Sequence, residues 1–293
     1  MEVIPLGPGF AAEVRGAGMA EVTTDDATYA AVRAAFEEHS VLVFRKQPIT
    51  DELQVAFSHR FGPLEIAKAA SRGEGTAFSI LTNIEPDGTL VPPDHKEALR
   101  ARANQLWHTD SCFKIPPALA SVLSARVVAT TGGETEFVSM RQAWKNLGPE
   151  LRKKLDNAYA WHDYAHSRGK IAPHLASERE RSIMPPVAWR MRWRNPVNGL
   201  DALYIASHTC GIDGMAEDEA LKLIDELAAL ATRPECIYQH RWQAGDVVMW
   251  DNRATMHRGR PWPDDQPRNM MRTTITATDA DGLAAMWPQR TAA

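Results

Sequence analysis

Several stretches of the chain carry apolar residues three or four positions apart, a spacing that gathers them on one face of an α-helix. The clearest of these stretches cover residues 25–38, 51–61 and 216–231. Thr50 immediately precedes the second stretch and is a residue type that caps helix N-termini. Residues 139–158 are expected to hold one or two further helices. The pattern therefore predicts helices in both halves of the chain.

Short runs of apolar and β-branched residues, separated by turn-forming residues, predict strands. Such runs cover residues 41–44, 119–128, 237–242, 246–250 and 273–276. They do not alternate regularly with helices, as the strands of a parallel βαβ sheet would. The pattern therefore favours a mainly β fold, an antiparallel β-sandwich or jelly roll to which helices are added.

Residues 65–105 fit neither pattern and contain scattered glycines and prolines. A long irregular stretch in a compact domain is often a lid or a binding loop. The sequence shows no internal repeat, low-complexity tract or interdomain linker. We therefore expect residues 1–293 to form a single domain with an active-site lid within 65–105.

Composition mainly excludes function classes. The apolar fraction of 44% and the charged fraction of 24% are ordinary for a globular protein. A formal net charge of -4 gives no support for nucleic-acid binding. No stretch is long enough to cross a bilayer, and the N-terminus lacks a secretory pattern. The three widely spaced cysteines are typical of reduced thiols, so we expect a cytoplasmic protein.

A His-x-Asp pair and a distant histidine form a candidate metal site. Residues two apart on a strand face the same side, so His108 and Asp110 could bind one ion together. Iron(II) in oxygenases is held by two histidines and one carboxylate. His257, just after a predicted strand, could supply the third ligand. Each signal is weak alone, because surface histidines and aspartates are common.

Two arginines strengthen this hypothesis. Arg268 and Arg272 lie 11 and 15 residues after His257, and on a strand both would face one side. A guanidinium binds carboxylates through two parallel hydrogen bonds, so the pair suits a pocket for carboxylate ligands. The alternative is a pair of surface cations on a C-terminal strand.

Together these residues resemble the taurine and 2,4-dichlorophenoxyacetate dioxygenase family, whose members depend on iron(II) and 2-oxoglutarate. The resemblance runs from the strand at residues 41–44 to Arg272 and is closer to the phenoxyacetate branch. Besides the arginines, its motifs in this sequence are Phe61-Gly62-Pro63-Leu64-Glu65, Trp107-His108-Thr109-Asp110-Ser111, Gly132-Gly133-Glu134-Thr135-Glu136-Phe137, Trp250-Asp251-Asn252 and His257-Arg258.

The resemblance implies a double-stranded β-helix, a cupin-like jelly roll, with iron(II) at one end of the barrel. It implies that 2-oxoglutarate chelates the iron and that its far carboxylate meets Arg268 and the Thr135 hydroxyl. Arg272 would face the anionic group of the substrate. With O2, the reaction would yield succinate, CO2 and a hydroxylated substrate.

In the phenoxyacetate branch the substrate is an aryloxyalkanoate, which hydroxylation at the ether carbon would convert to a phenol and an oxo acid. Further candidates for substrate binding are Lys68, Asn104, Phe113 and His208. Lys68 could equally be a solvated surface lysine, and His208 a structural histidine. The segments that should cover the substrate, 66–78 and 162–190, match the family poorly, so the substrate is less determined than the chemistry.

Three alternatives stay open from the sequence. Within the enzyme class, the substrate could be taurine, another sulfonate or an alkyl sulfate. A non-catalytic metal-binding β-barrel would explain the metal ligands but not the paired arginines. A zinc hydrolase would need a general base that the motif lacks. The expected partner is a small anionic substrate, with no nucleic acid and no membrane, and a homo-oligomer is allowed.

Overall fold

A computed structural model of the chain describes residues 1–67 and 71–288. The strands in this part of the chain are β1 (Glu2–Leu6), β2 (Ala11–Arg15), β3 (Val41–Phe44), β4 (Phe78–Thr82), β5 (Ala118–Val127), β6 (Thr135–Ser139), β7 (Tyr159–His162), β8 (Val187–Arg190), β9 (Arg192–Arg194), β10 (Asp201–Leu203), β11 (Thr209–Ile212), β12 (Ile237–His240), β13 (Val247–Asp251), β14 (Thr255–Gly259) and β15 (Asn269–Thr276). The helices are α1 (Met19–Thr24), α2 (Asp26–His39), α3 (Asp51–His59), α4 (Lys96–Arg102), α5 (Met140–Lys145), α6 (Pro149–Leu155), α7 (Tyr164–Gly169), α8 (Glu178–Ile183) and α9 (Glu217–Ala231).

Two antiparallel sheets form the body of the fold. The large sheet has seven strands in the order β1-β2-β3-β13-β5-β15-β4, and within it only the β2–β3 pair is parallel. The small sheet has three strands in the order β12-β6-β14. The predicted mainly β jelly roll with added helices is confirmed.

The core lies on both faces of the large sheet, because successive side chains of a strand point to opposite sides. On β13, Val248 and Trp250 pack toward the small sheet, where they join Phe137 in one buried cluster. Val247 and Met249 face the other way and join the cluster that contains the apolar residues of α1, α2 and α3. Strand β3 and the first four residues of β13 therefore appear in the sequence as unbroken apolar runs.

The remaining small sheets, β11-β7-β8 and β10-β9, pack with α5 and α9 into a third cluster. Helix α9 turns its buried residues toward that cluster at helical spacing, namely Ala220, Ile224, Leu227 and Ala231. Within the described part of the chain, no helix combines the length and the apolar character needed to span a bilayer.

The expectation of an irregular segment over 65–105 is wrong in part, because this segment contains β4 and α4. Helix α4 has no buried residue, so its sequence carries no apolar stripe. Strand β4 is half-buried and pairs only with β15 at the edge of the large sheet. Neither element therefore gives the apolar periodicity on which the sequence-based predictions of helices and strands relied.

Candidate metal centre

His108 and His257 are brought together by backbone pairing at one end of the barrel. The N–H of each residue donates to the carbonyl oxygen of the other, at 3.0 Å from His108 and 2.8 Å from His257. This exchange of two hydrogen bonds is the antiparallel pattern that places both side chains on one face. The ring centroids are 4.2 Å apart as a result.

Asp110 completes the cluster and is held from two sides. Its backbone N–H donates to Asn252 Oδ1 at 3.1 Å, and the Ser121 hydroxyl donates to its Oδ2 at 2.7 Å. Its carboxylate oxygens lie 3.8 Å from Nε2 of His108 and 3.6 Å from Nε2 of His257. One ligand atom from each of the three buried residues lies within 4.8 Å of the other two.

The protonation of these groups suits a divalent cation. Burial lowers the pKa of both His108 and His257, so both rings are neutral. His108 Nδ1 contacts the carbonyl oxygen of Leu106 at 2.7 Å, which requires a proton on Nδ1 and leaves the Nε2 lone pair for a metal. Burial alone would raise the pKa of Asp110, but the positive charge of Arg272 holds it well below its usual value. Two neutral imidazoles and one carboxylate are the ligand set of iron(II) oxygenases.

A cavity of about 440 Å³ opens beside these ligands. Its wall includes two of the three candidate ligands, His108 and His257. It also includes Thr135 and the arginines Arg168, Arg268 and Arg272. A volume of this size accommodates two small organic acids side by side.

Arg268 is a buried guanidinium in that wall. Its side chain donates to the Gly133 carbonyl at 3.2 Å and lies 4.8 Å from the ring of Trp262, and among the described residues it has no carboxylate partner. Burial lowers its pKa to about 10. Gly133 has φ +70°, and a Cβ there would lie 3.1 Å from Arg268 Nε. A buried charge of this kind is costly unless an anion joins it.

Thr135 lies in the same cavity wall, at the start of β6. Its hydroxyl oxygen accepts a hydrogen bond from Trp242 Nε1 at 3.0 Å. The hydroxyl proton of Thr135 therefore remains available for an acceptor in the cavity. Together with Arg268, this residue could hold the far carboxylate of a dicarboxylic acid.

The resemblance assigned Arg272 to the substrate anion. In the structure Arg272 directly contacts one of the three candidate metal ligands. Its Nη1 donates to Asp110 Oδ1. Arg268 and Arg272 both line the cavity, and neither is a surface cation. Arg268 lies immediately before β15 and Arg272 lies within it, and both reach the same cavity, as the predicted four-residue spacing requires.

The other predicted substrate residues have different placements. Asn104 lines the cavity. Phe113 and His208 are buried next to it, with ring centroids 4.8 Å apart, and His208 lies edge-on to His108 at 6.3 Å. They therefore form the wall behind a metal ligand. Lys68 lies outside the described residues.

Four residues with direct contacts to the site were not assigned roles from the sequence. Ser121 and Asn252 orient the ligand Asp110, and Trp242 contacts Thr135. Arg168 enters the cavity wall from α7. Asn252 belongs to the recognised Trp-Asp-Asn motif, but no local pattern distinguishes Ser121, and Arg168 lies in the segment that matches the family poorly.

Comparison with known proteins gives a consistent set of relatives. A family model described as taurine catabolism dioxygenase TauD, TfdA family matches residues 2–274. The alpha-ketoglutarate-dependent 2,4-dichlorophenoxyacetate dioxygenase of Cupriavidus pinatubonensis is 38% identical over 281 residues, which are 94% of this chain and 97% of that protein. The (S)-phenoxypropionate/alpha-ketoglutarate-dioxygenase of Sphingobium herbicidovorans is 34% identical over 291 residues, 97% of each chain. The crystal structure of AAD-2 in complex with Mn(II) and N-oxalylglycine superposes with a TM-score of 0.87 at 36% identity and covers 94% of this chain and 97% of that one.

Proposed function

The chain belongs to the taurine catabolism dioxygenase TauD, TfdA family, and we propose that its substrate is an aryloxyalkanoate of the phenoxyacetate type. It is a 2-oxoglutarate-dependent dioxygenase whose cofactors are iron(II), 2-oxoglutarate and O2. The predicted family and enzyme class are thereby confirmed. The substrate proposal rests on relatives whose names specify 2,4-dichlorophenoxyacetate and (S)-phenoxypropionate.

One observation carries this function over a merely metal-binding barrel. Arg268 is 7% exposed, lines the cavity beside the metal cluster and has no carboxylate partner within the described chain. A metal site alone does not need such a charge, whereas a dicarboxylic cosubstrate supplies its counterion. We assign the far carboxylate of 2-oxoglutarate to Arg268 and Thr135.

We assign the metal to His108, Asp110 and His257. When bound, iron(II) and 2-oxoglutarate supply the oxidising chemistry that splits O2 and leaves succinate and CO2. The protein's part is to orient the substrate and exclude water. Arg272, beside Asp110, meets the substrate carboxylate, and apolar wall residues such as Leu81 and Leu123 offer contacts for an aryl ring.

The product follows from the position of attack. Hydroxylation of the carbon that bears the aryl ether oxygen gives a hemiacetal or a hemiketal. The C–O bond to the aryl oxygen then breaks, the hydroxyl proton passes to the leaving phenolate, and an oxo acid remains. Phenol and succinate should thus form together in equal amounts.

Turnover with a panel of acids tests the proposal. Purified protein with iron(II), 2-oxoglutarate and ascorbate should release phenols from 2,4-dichlorophenoxyacetate or from an enantiomer of 2-phenoxypropionate. Consumption of taurine or an alkyl sulfate without any phenol release would place the substrate in the sulfonate branch. His108→Ala should lose most bound iron, whereas the exposed His174→Ala should keep it.

The wider organisation stays a set of proposals. We infer a single domain with an active-site lid within residues 65–105, because α4 and β4 residues such as Arg100 and Leu81 line the cavity. The cytoplasmic location is supported by the absence of disulfides among Cys112, Cys210 and Cys236. A homo-oligomer is a prediction that size measurements in solution would test.

A further inference from the structure

Arg168 is held firmly at the edge of the cavity by helix α7. The Asp163 side chain caps this helix by accepting from the backbone N–H groups of Ala165, at 2.8 Å, and His166, at 3.3 Å. Residues four apart on a helix are neighbours, so Arg168 lies over Tyr164, with its guanidinium carbon 4.7 Å from the ring centroid. Tyr164 is itself buried and donates its hydroxyl to Glu180 at 3.0 Å.

The guanidinium of Arg168 faces the space beside the metal. It lines the same cavity as His108 and Arg272, and its positive charge contributes to the low pKa of His108, which burial mainly causes. No carboxylate of the described chain forms an ion pair with it. Arg100, a neighbouring cation of the wall, differs because it is paired with Glu180 at 3.3 Å.

Arg168 from α7 and Arg272 from β15 line the same cavity. The Nε atoms of Arg168 and Arg272 are both buried and have no hydrogen-bond partner in the described structure. A buried donor without an acceptor is costly. Arg272 has five N–H donors, so it can keep its Nη1 contact with Asp110 and still offer other N–H groups to a ligand.

We propose that Arg168 is a second guanidinium for the substrate's carboxylate, which it shares with Arg272. The inference rests on the proposed substrate class and deepens it. One carboxylate has about four acceptor sites, so it could accept from both guanidinium groups and neutralise Arg168, which has no ion pair among the described residues. Arg168 therefore selects for a carboxylate head group, and it does so from a segment that matches the family poorly.

The test compares an acid with its neutral isostere, 2,4-dichlorophenoxyacetate with 2,4-dichlorophenoxyacetamide. Arg168→Met should raise KM for the acid about 10- to 100-fold, where a factor of ten corresponds to about 1.4 kcal/mol. It should leave KM for the amide, the half-saturation by 2-oxoglutarate and the iron content unchanged. Arg168→Lys should recover part of the loss, because it keeps the charge but not the planar fork.

Arg190→Met is the matched control. Arg190 also lies over a tyrosine, with its guanidinium carbon 5.9 Å from the Tyr159 ring centroid, and it donates to Asn157. It is not part of the described cavity wall. Removing it should lower stability in a similar way without changing the ratio of acid to amide KM.

The outcomes separate the two levels of the argument. An unchanged acid-to-amide ratio in Arg168→Met, with the wild type releasing phenol, overturns the role of Arg168 alone. A wild type that neither binds nor cleaves any aryloxyalkanoate overturns the proposed substrate class and this inference with it. If Arg168→Met does not fold, the ratio of acid to amide KM is measured on Arg168→Gln and Arg168→Lys instead. Anaerobic binding of the acid to the iron-loaded protein provides a second measurement.

Discussion

Replacement of Arg268 by methionine should stabilise the empty protein and abolish most of its stabilisation by 2-oxoglutarate. The guanidinium is buried, and within the described chain its recorded contacts are the Gly133 carbonyl and the Trp262 ring. Folding therefore strips water from a charge without giving it a carboxylate. Arg268→Met removes that cost, but it also removes the group assigned to the far carboxylate of 2-oxoglutarate.

The pKa of Arg268 sets the magnitude. Burial lowers it from 12.5 to about 10, and each pKa unit corresponds to about 1.4 kcal/mol, so the ionised side chain costs the fold about 3 kcal/mol. Because arginine is protonated in both states at pH 7, the full cost is present there and is relieved only above about pH 10. The contact with Trp262 returns part of it. We expect the free energy of unfolding of the unliganded variant to increase by about 1–3 kcal/mol. Each kcal/mol should raise Tm by about 2–4 °C.

In the liganded protein this stability advantage of the variant should shrink or disappear. In the wild type, 2-oxoglutarate at 100 times its Kd stabilises the fold by about 2.7 kcal/mol. Loss of the buried charge partner costs about 2–5 kcal/mol of binding, so the variant should gain almost nothing from the same concentration. The melting temperature of the wild type should therefore rise with the cosubstrate while that of the variant stays nearly constant, and the difference between the two should narrow.

Thermal unfolding of iron(II)-loaded protein without oxygen, with and without 2-oxoglutarate, measures both effects. Arg260→Met is the control, because Arg260 lines the same cavity but its side chain is 43% exposed and it pairs with Glu136. It should leave both melting temperatures nearly unchanged. An Arg268→Met variant that melts lower when unliganded and keeps the full gain from 2-oxoglutarate would refute the reasoning.

Three further changes probe the surroundings of the site. Ser121→Ala removes the donor to Asp110 Oδ2 and should lower iron affinity about 10-fold; undiminished iron retention against a chelator would contradict this. Trp242→Phe removes the donor to Thr135 and should raise half-saturation by 2-oxoglutarate about 2- to 10-fold, with unchanged iron content; equal loss of both would indicate general damage. Burial lowers the pKa of His162 to about 3. Below pH 6.5 the unfolded state therefore binds a proton on this ring that the folded state does not bind, and the free energy of unfolding decreases as the pH is lowered. His162→Phe should recover about 2 kcal/mol at pH 5 relative to pH 8 in urea unfolding, and an equal effect at both values would rule this out.

The parts of the fold that could be predicted are those buried on both sides. Strand β3 runs over Val41–Phe44 and every one of its residues is buried, so its apolar run defines the strand by itself. Helix α4 was missed because none of its residues is buried. The order of strands in the sheet could not be predicted for a different reason. The pairing of β5 with β15 joins distant segments of the chain and leaves no local sequence pattern.

The candidate site divides in the same way. Spacing of two predicts that His108 and Asp110 lie together, and spacing of four predicts that Arg268 and Arg272 reach the same cavity. The contribution of His257 depends on a bridge to a distant part of the chain, which only the resemblance could supply. Local periodicity therefore identifies pairs of site residues but not how the pairs meet.

Arg272 shows why such pairs do not determine roles. The sequence argument gave one arginine to 2-oxoglutarate and left the other for the substrate, as if each guanidinium had a single partner. In the structure Arg272 already contacts Asp110, and its remaining donors face the cavity. A change at Arg272 must therefore disturb the metal ligand and the substrate together, whereas Arg168 has no contact with a metal ligand among the recorded hydrogen bonds and ion pairs. A variant of Arg168 can consequently show loss of substrate binding without loss of iron. A variant of Arg272 alone cannot separate these two effects.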